Sequence, residues 1–240
     1  MFAWPLILAA LALAQHPPAG PAPARGPVVV ELFTSQGCGM CPDANRLLAD
    51  LAAENEDVLA LAWGVSYWDM YGWEDRYARP EFNARQEAYV AAGEAHRVYT
   101  PHFVINGAPK KFRFRPETIR EAVEAETGVP LAPRVARVSP SSVSVAFTGP
   151  DRESPAEVWL AAYEPGLVTM RIEGGNNAGT QMPHFNMVRA LTELPAWGGG
   201  EYRVLDETAC PADLACAVLI QAFSGGPILG AASIPAAAAD

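Results

Sequence analysis

The apolar positions along the chain change period several times, and each change predicts an element. "VVVELF" (28–33) is continuous, apolar and β-branched, the pattern of a central strand. After the turn "TSQGC", Leu47, Leu48 and Leu51 recur at helical spacing with Asp50 and Glu54 beside them, so residues 41–54 predict an amphipathic helix. "VLALAWGVSYW" (58–68) predicts a second apolar strand. "EFNARQEAYVAAGE" (81–94) predicts a second helix, with Phe82, Tyr89 and Val90 in its buried stripe. A third strand lies within "HRVYTPHFVING" and ends at an Asn106-Gly107 turn, with "KKFRFR" as a short hairpin partner. "PETIREAVEAETG" (116–128) predicts a third helix, Pro116 suiting its first turn and Gly128 its end. Residues 28–130 therefore predict an α/β domain around a buried sheet.

After Pro130 the pattern alternates. "RVARVSPSSVSVAFTG", "AEVWLAAYE", "ACAVLIQAFSG" and "PILGAASI" are strand-like runs punctuated by Gly, Pro and Ser. "HFNMVRALTEL" alone offers a short helix. Residues 131–240 predict an antiparallel β-sandwich packed beside the first domain.

The N-terminus decides the compartment. "MFAWPLILAALALA" (1–14) is apolar, carries no charged side chain and ends in an Ala-Leu-Ala pattern, so it reads as a secretory signal peptide cleaved after Ala14. The competing reading is an uncleaved anchor, and either way the rest of the chain lies in an extracytoplasmic space, secreted or periplasmic. "QHPPAGPAPARGP" (15–27) reads as a semi-rigid linker. No later run is long enough to span a bilayer, so no membrane association is expected after cleavage. The net charge of −10, with 17 Lys+Arg against 27 Asp+Glu, argues against a nucleic-acid partner.

In such a space the cysteines matter most. Cys38-Gly39-Met40-Cys41 stands between a strand and a helix. Free backbone N–H groups and the positive end of the macrodipole stabilise a thiolate there. One exposed sulfur would attack and the second would resolve the mixed disulfide. Zinc would need further ligands that the neighbourhood lacks. A purely structural staple is a second reading. A Cu(I) site of Cys38 and Cys41 with His102 or Met40 is a third. Cys210 and Cys216 read as a structural disulfide. Tyr67, Trp68, Tyr71 and Trp73, with Asp69 and Asp75 among them, follow the second strand. They either line a substrate groove or pack against the second half.

"VVVELFTSQGCGMCPDANRLLADLA", "VSYWDMYGWEDRYARPEFNARQEAYV" and "VYTPHFVING" resemble the DUF1223 family of secreted bacterial thioredoxin-like proteins, as do "GGNNAGTQMPHFNMVRAL" and "GGPILGAAS" more loosely. The resemblance implies a thioredoxin-like domain followed by the β-rich one. It implies a cis-proline at Thr100-Pro101 opposite the dithiol, with Thr100 on the substrate side, and a buried acid at Glu31 to relay a proton. His184, Asn186 and Arg189 match a family motif and read as structural. The expected function is an extracytoplasmic thiol–disulfide oxidoreductase without a cofactor. Protein or peptide thiols and a redox partner would be its reactants. Copper delivery, or a binding module that keeps the fold without the chemistry, are the alternatives.

Overall fold

The computed structural model describes residues 25–93, 96–108, 114–207 and 209–237. The run read as a signal peptide, most of the expected linker and most of the "KKFRFR" segment lie outside them. β1 (Val28–Thr34) leads through a turn to α1 (Cys41–Glu54) and returns in β2 (Val58–Gly64). α2 (Pro80–Ala91), β3 (His102–Ile105) and α3 (Pro116–Glu124) follow. The second half contains β4 (Arg134–Arg137), β5 (Val143–Gly149), β6 (Ala156–Arg171), β7 (Gln181–Trp197), β8 (Gly200–Asp206), β9 (Ala215–Gln221) and β10 (Ile228–Ile234).

The architecture is β-rich, with one mixed seven-stranded sheet in the order β10-β9-β6-β7-β2-β1-β3 and a three-stranded sheet β4-β5-β8. β1 runs parallel to β2 and antiparallel to β3. The large sheet does not stop at residue 130: β7 lies parallel to β2, with Met187 opposite Ala62. The two halves share this sheet.

Strand alternation decides what covers each face. Val28, Val30 and Leu32 face α1 and α3 through Leu47, Leu48, Leu51, Ile119 and Val123. Val29 and Phe33 face α2 through Phe82 and Tyr89, and this core continues to Ala161, Val188, Ala217 and Leu219 in the second half. On the α1 side, the far end of the sheet is covered by the small sheet, with Val143, Val145, Phe147 and Tyr202 packed on Val158, Leu160 and Val218.

Three sequence expectations change. "HFNMVRALTEL" is strand, not helix: it forms most of β7, paired along β6 and meeting β2 on its other edge. α3 ends at Glu124, short of Gly128. Gly128 serves instead a close approach, since a Cβ there would lie 1.9 Å from the Gly26 carbonyl oxygen. The last residues of the expected linker are also docked, because Gly26 N–H donates to Val129 O at 2.9 Å and Arg25 Nε to Gly128 O at 2.7 Å. Asn106 and Gly107 take positive φ (52° and 61°), as a tight Asn-Gly turn requires.

Candidate functional site around Cys38 and Cys41

β1 ends at Thr34, and the chain turns sharply before α1. Cys38 N–H donates to Ser35 O at 3.1 Å, Gly37 N–H to Ser35 Oγ at 3.1 Å, and Cys41 N–H to Cys38 O at 3.1 Å. Asn45, one turn into α1, fastens helix to strand by donating from Nδ2 to Thr34 Oγ1 (2.8 Å) and Cys41 O (2.9 Å). Cys41 is the first helical residue, followed by Pro42, which has no N–H to leave unpaired. Cys38 and Cys41 are joined as a disulfide with their Cα atoms 5.4 Å apart.

The sulfurs are not open to solvent. Cys38 is 1% exposed and Cys41 0%, so the exposed attacking sulfur expected from sequence is corrected. They pack with Ile172 and Met182 of the second half, and Trp68, Trp73 and Met170 close the cluster. The short turn Gly175–Asn177 lies on the cysteine turn itself. Asn177 Nδ2 donates to Gln36 O at 2.8 Å and to Cys38 O at 2.9 Å, and Asn176 Nδ2 donates to Gly37 O at 3.0 Å.

Gln36 ties this turn to three further residues, two in the loop before α2 and one in β7. Its N–H donates to Asp75 Oδ2 at 2.8 Å. Its Oε1 accepts from Trp73 Nε1 at 2.8 Å, and its Nε2 lies 3.2 Å from His184 Nε2. Burial lifts the Asp75 carboxyl to about 6, although the N–H groups of Gln36 and Tyr77 favour its charged form. Burial lowers His184 to about 4.

The other predicted residues fall in different places. Trp68 and Trp73 pack on the cysteines rather than opening a groove, while Tyr67 turns to Gln86 Oε1 at 3.2 Å, its hydroxyl pushed up to about 12 by burial. The Thr100–Pro101 bond is cis, and both residues are buried. Pro101 comes one step beyond the last β1–β3 pair, Phe33–His102, at the end of the sheet where the cysteine turn begins.

Glu31 is fully buried, but on the α2 face of β1, opposite the face that carries α1. There Arg85 donates to both carboxylate oxygens, from Nε at 2.6 Å and from Nη2 at 3.1 Å. Tyr89 OH donates to it as well, and Gln221 accepts from Arg85 Nη1 at 3.1 Å. A carboxylate so committed is engaged by its own cation. His102 is also buried on that side, its ring 4.5 Å from that of Tyr99 and 5.7 Å from that of Phe33, and burial lowers it to about 4. His102 does not join the cysteines: among the described residues no three His, Cys, Asp or Glu side chains gather as a metal site.

Cys210 and Cys216 form the second disulfide, and both are buried. Arg137 spans their loop, donating to the carbonyls of Cys210 (2.8 Å) and Leu214 (2.9 Å) and to Cys210 Sγ (3.0 Å). Asn186 is a brace: its Oδ1 accepts Gly166 N–H at 2.8 Å and its Nδ2 donates to Ala60 O at 2.9 Å. Arg189 pairs with Glu164 at 3.0 Å.

The residues that sequence reasoning missed are Asn176, Asn177, Met182 and the bonding role of Gln36. The one local signal for the two asparagines is "GGNNAG", an Asn pair among glycines between two strand-like runs. It marks a turn and does not say where the turn lands.

A family model described as a protein of unknown function, DUF1223, matches residues 29–221, which covers both the cysteine turn and the segment laid over it. The chain belongs to the DUF1223 family. A crystal structure of an Agrobacterium tumefaciens protein superposes with a TM-score of 0.72 at 26% identity, covering 91% of this chain and 98% of that one. HBP35 of Porphyromonas gingivalis superposes with a TM-score of 0.61 at 14% identity over 90% of this chain and 76% of that one, a likeness of fold. No curated protein matches. Among the described residues, no helix of this DUF1223 protein is long and apolar enough to cross a membrane, and its two disulfides are compatible with an oxidising compartment.

Proposed function

We propose that the protein is an extracytoplasmic thiol–disulfide oxidoreductase whose first half is a thioredoxin-like unit. The observation that carries the reading is the Cys38–Cys41 disulfide at the first turn of α1, between two parallel strands. Helix N-termini favour negative charge, so the thiolate released at Cys38 on reduction is stabilised. In the reduced protein, Cys38 thiolate attacks a substrate disulfide, forms a mixed disulfide and expels one substrate thiolate. Cys41 then gives its proton to the substrate thiolate already expelled, attacks Cys38 Sγ, releases the second substrate thiolate and closes the Cys38–Cys41 bond, so the protein loses the two electrons that the substrate gains. An external dithiol returns the protein to its reduced form. Glu31 takes no part in this scheme, because Arg85 and Tyr89 occupy its oxygens on the other face of β1.

The test is reduction of glutathione disulfide by dithiothreitol with catalytic amounts of protein. The reading expects acceleration by wild type that is abolished in Cys38→Ser and in Cys41→Ser. A wild type no faster than the Cys38→Ser/Cys41→Ser double variant overturns it.

A further inference from the structure

Disulfide exchange is an in-line displacement: the incoming sulfur, the attacked sulfur and the leaving sulfur lie along one line. A cysteine of a protein brings its own main chain with it to the reacting sulfur. It therefore needs a groove beside the disulfide, not an aperture. In this protein that space is filled by the chain's own residues 172–180.

The segment is a preformed unit. Ile172 N–H donates to Thr180 O at 3.0 Å and Gly179 N–H to Ile172 O at 2.7 Å, which closes its base. Thr180 Oγ1 donates to Asn177 O at 2.7 Å inside it. It sits at the tip of the β6–β7 hairpin, whose β6 arm alternates there between half-buried and exposed positions while the β7 arm is buried at Met182, Pro183 and His184. Two kinds of contact hold it down. Ile172 and Met182 pack on the sulfurs, and Asn176 and Asn177 donate three hydrogen bonds to the carbonyls of Gln36, Gly37 and Cys38. Gly174 lets it lie flat, since a Cβ there would come within 2.6 Å of Gly72 O and 3.0 Å of the Trp73 ring.

We infer that residues 172–180 are the specificity element of the Cys38–Cys41 pair and that Asn177 is its latch: closed, the segment bars protein cysteines and leaves low-molecular-weight thiols and disulfides as reactants. The inference rests on the oxidoreductase reading for its biological meaning. The barrier itself is a property of the folded disulfide protein and is measured separately.

The experiment follows stoichiometric reduction of Cys38–Cys41 by dithiothreitol and, at equal dithiol concentration, by a reduced thioredoxin. In wild type, the protein reductant should hold no rate advantage over dithiothreitol. Asn177→Ala removes two hydrogen bonds and should speed the protein reductant by roughly tenfold or more, and dithiothreitol by less. Gly174→Ala, which pushes the segment off Gly72 without touching the Asn177 amide, should shift the two rates in the same sense. Reduction of Cys210–Cys216 serves as the fold control and should not change. A wild-type disulfide that thioredoxin reduces faster than dithiothreitol does overturns the inference without recourse to any variant. Equal acceleration of both reductants, or of neither, in folded Asn177→Ala also overturns it. If wild type fails to catalyse glutathione disulfide reduction while these rates behave as expected, the oxidoreductase reading falls and the latch stands.

Discussion

Gln36 and His184, 148 residues apart, meet side chain to side chain, with Gln36 Nε2 3.2 Å from His184 Nε2. Trp73 donates to Gln36 Oε1, which orients the amide so that its NH2 faces the histidine. An amide NH2 only donates, so His184 Nε2 accepts and the ring is neutral. Protonating the ring would set a donor against a donor beside the cysteine turn.

That arrangement predicts a stability profile against pH. His102 and His184 are both held near 4 by burial, below their ordinary 6.5, so the unfolded chain binds these protons more tightly. Their contribution is fully present above pH 6.5 and is lost as the pH falls through 4, on the order of 3 kcal/mol for each. Asp75 runs the other way: its carboxyl is raised to about 6, so its contribution is present below its ordinary 3.8 and lost as the pH rises through 6. Two histidines outweigh one carboxyl, and urea midpoints should fall from pH 6.5 to pH 4. His184→Gln should flatten that fall and Asp75→Asn should steepen it. A flatter profile in Asp75→Asn would contradict the assignment.

Glu31 and Arg85 form a buried pair in which each charge depends on the other. Glu31→Gln should cost roughly 3–5 kcal/mol, because the Arg85 guanidinium is left buried without its counter-charge. Glu31→Leu combined with Arg85→Leu should cost less than the two single changes added together. In the cold, where Glu31→Gln still folds, exchange at Cys38 should match wild type. A slowed second step of exchange in a folded Glu31→Gln would return the carboxylate to the chemistry.

The Cys210–Cys216 loop should behave as a clamp. Replacing both cysteines by serine should lower stability by less than the ~3 kcal/mol expected of a 15-residue loop, since only six positions separate the pair. Arg137→Lys should cost about 2 kcal/mol, because a single ammonium cannot reach the several carbonyls that the guanidinium spans. Thermal unfolding checks both. Loss of glutathione disulfide reduction without loss of stability would make the second pair a redox partner.

The two cysteines of the first pair should differ in reactivity. In fully reduced protein near neutral pH, iodoacetamide should label Cys38 before Cys41, because Cys38 precedes α1 at its N-terminal end, where the helix dipole favours a thiolate, while Cys41 lies within the helix itself. Mass spectrometry of partly labelled protein reads the order. Equal labelling would count against the helix-terminus argument.

Local pattern sufficed where the structure depends on neighbours in sequence. The continuous run from Val28 has to be a strand buried on both faces, and Leu47, Leu48 and Leu51 must line one side of a helix, because period alone says which positions face the core. Cysteine spacing placed a disulfide at that helix's start, and Asn106-Gly107 specified a turn that needs positive φ. Partners are a different matter. Residues 184–194 have apolar spacings that suit either a helix or a strand, and the strand prevails because β6 and β2 supply its backbone hydrogen bonds from outside. Glu31 could be read as a buried acid but not as a paired one, because Arg85 reaches it from a helix 54 residues further on. Nothing near Cys38 announces that Ile172, Asn177 and Met182 will cover it. Period encodes the face a residue presents. Which distant segment meets that face depends on closing the sheet, and only the tertiary structure decides it.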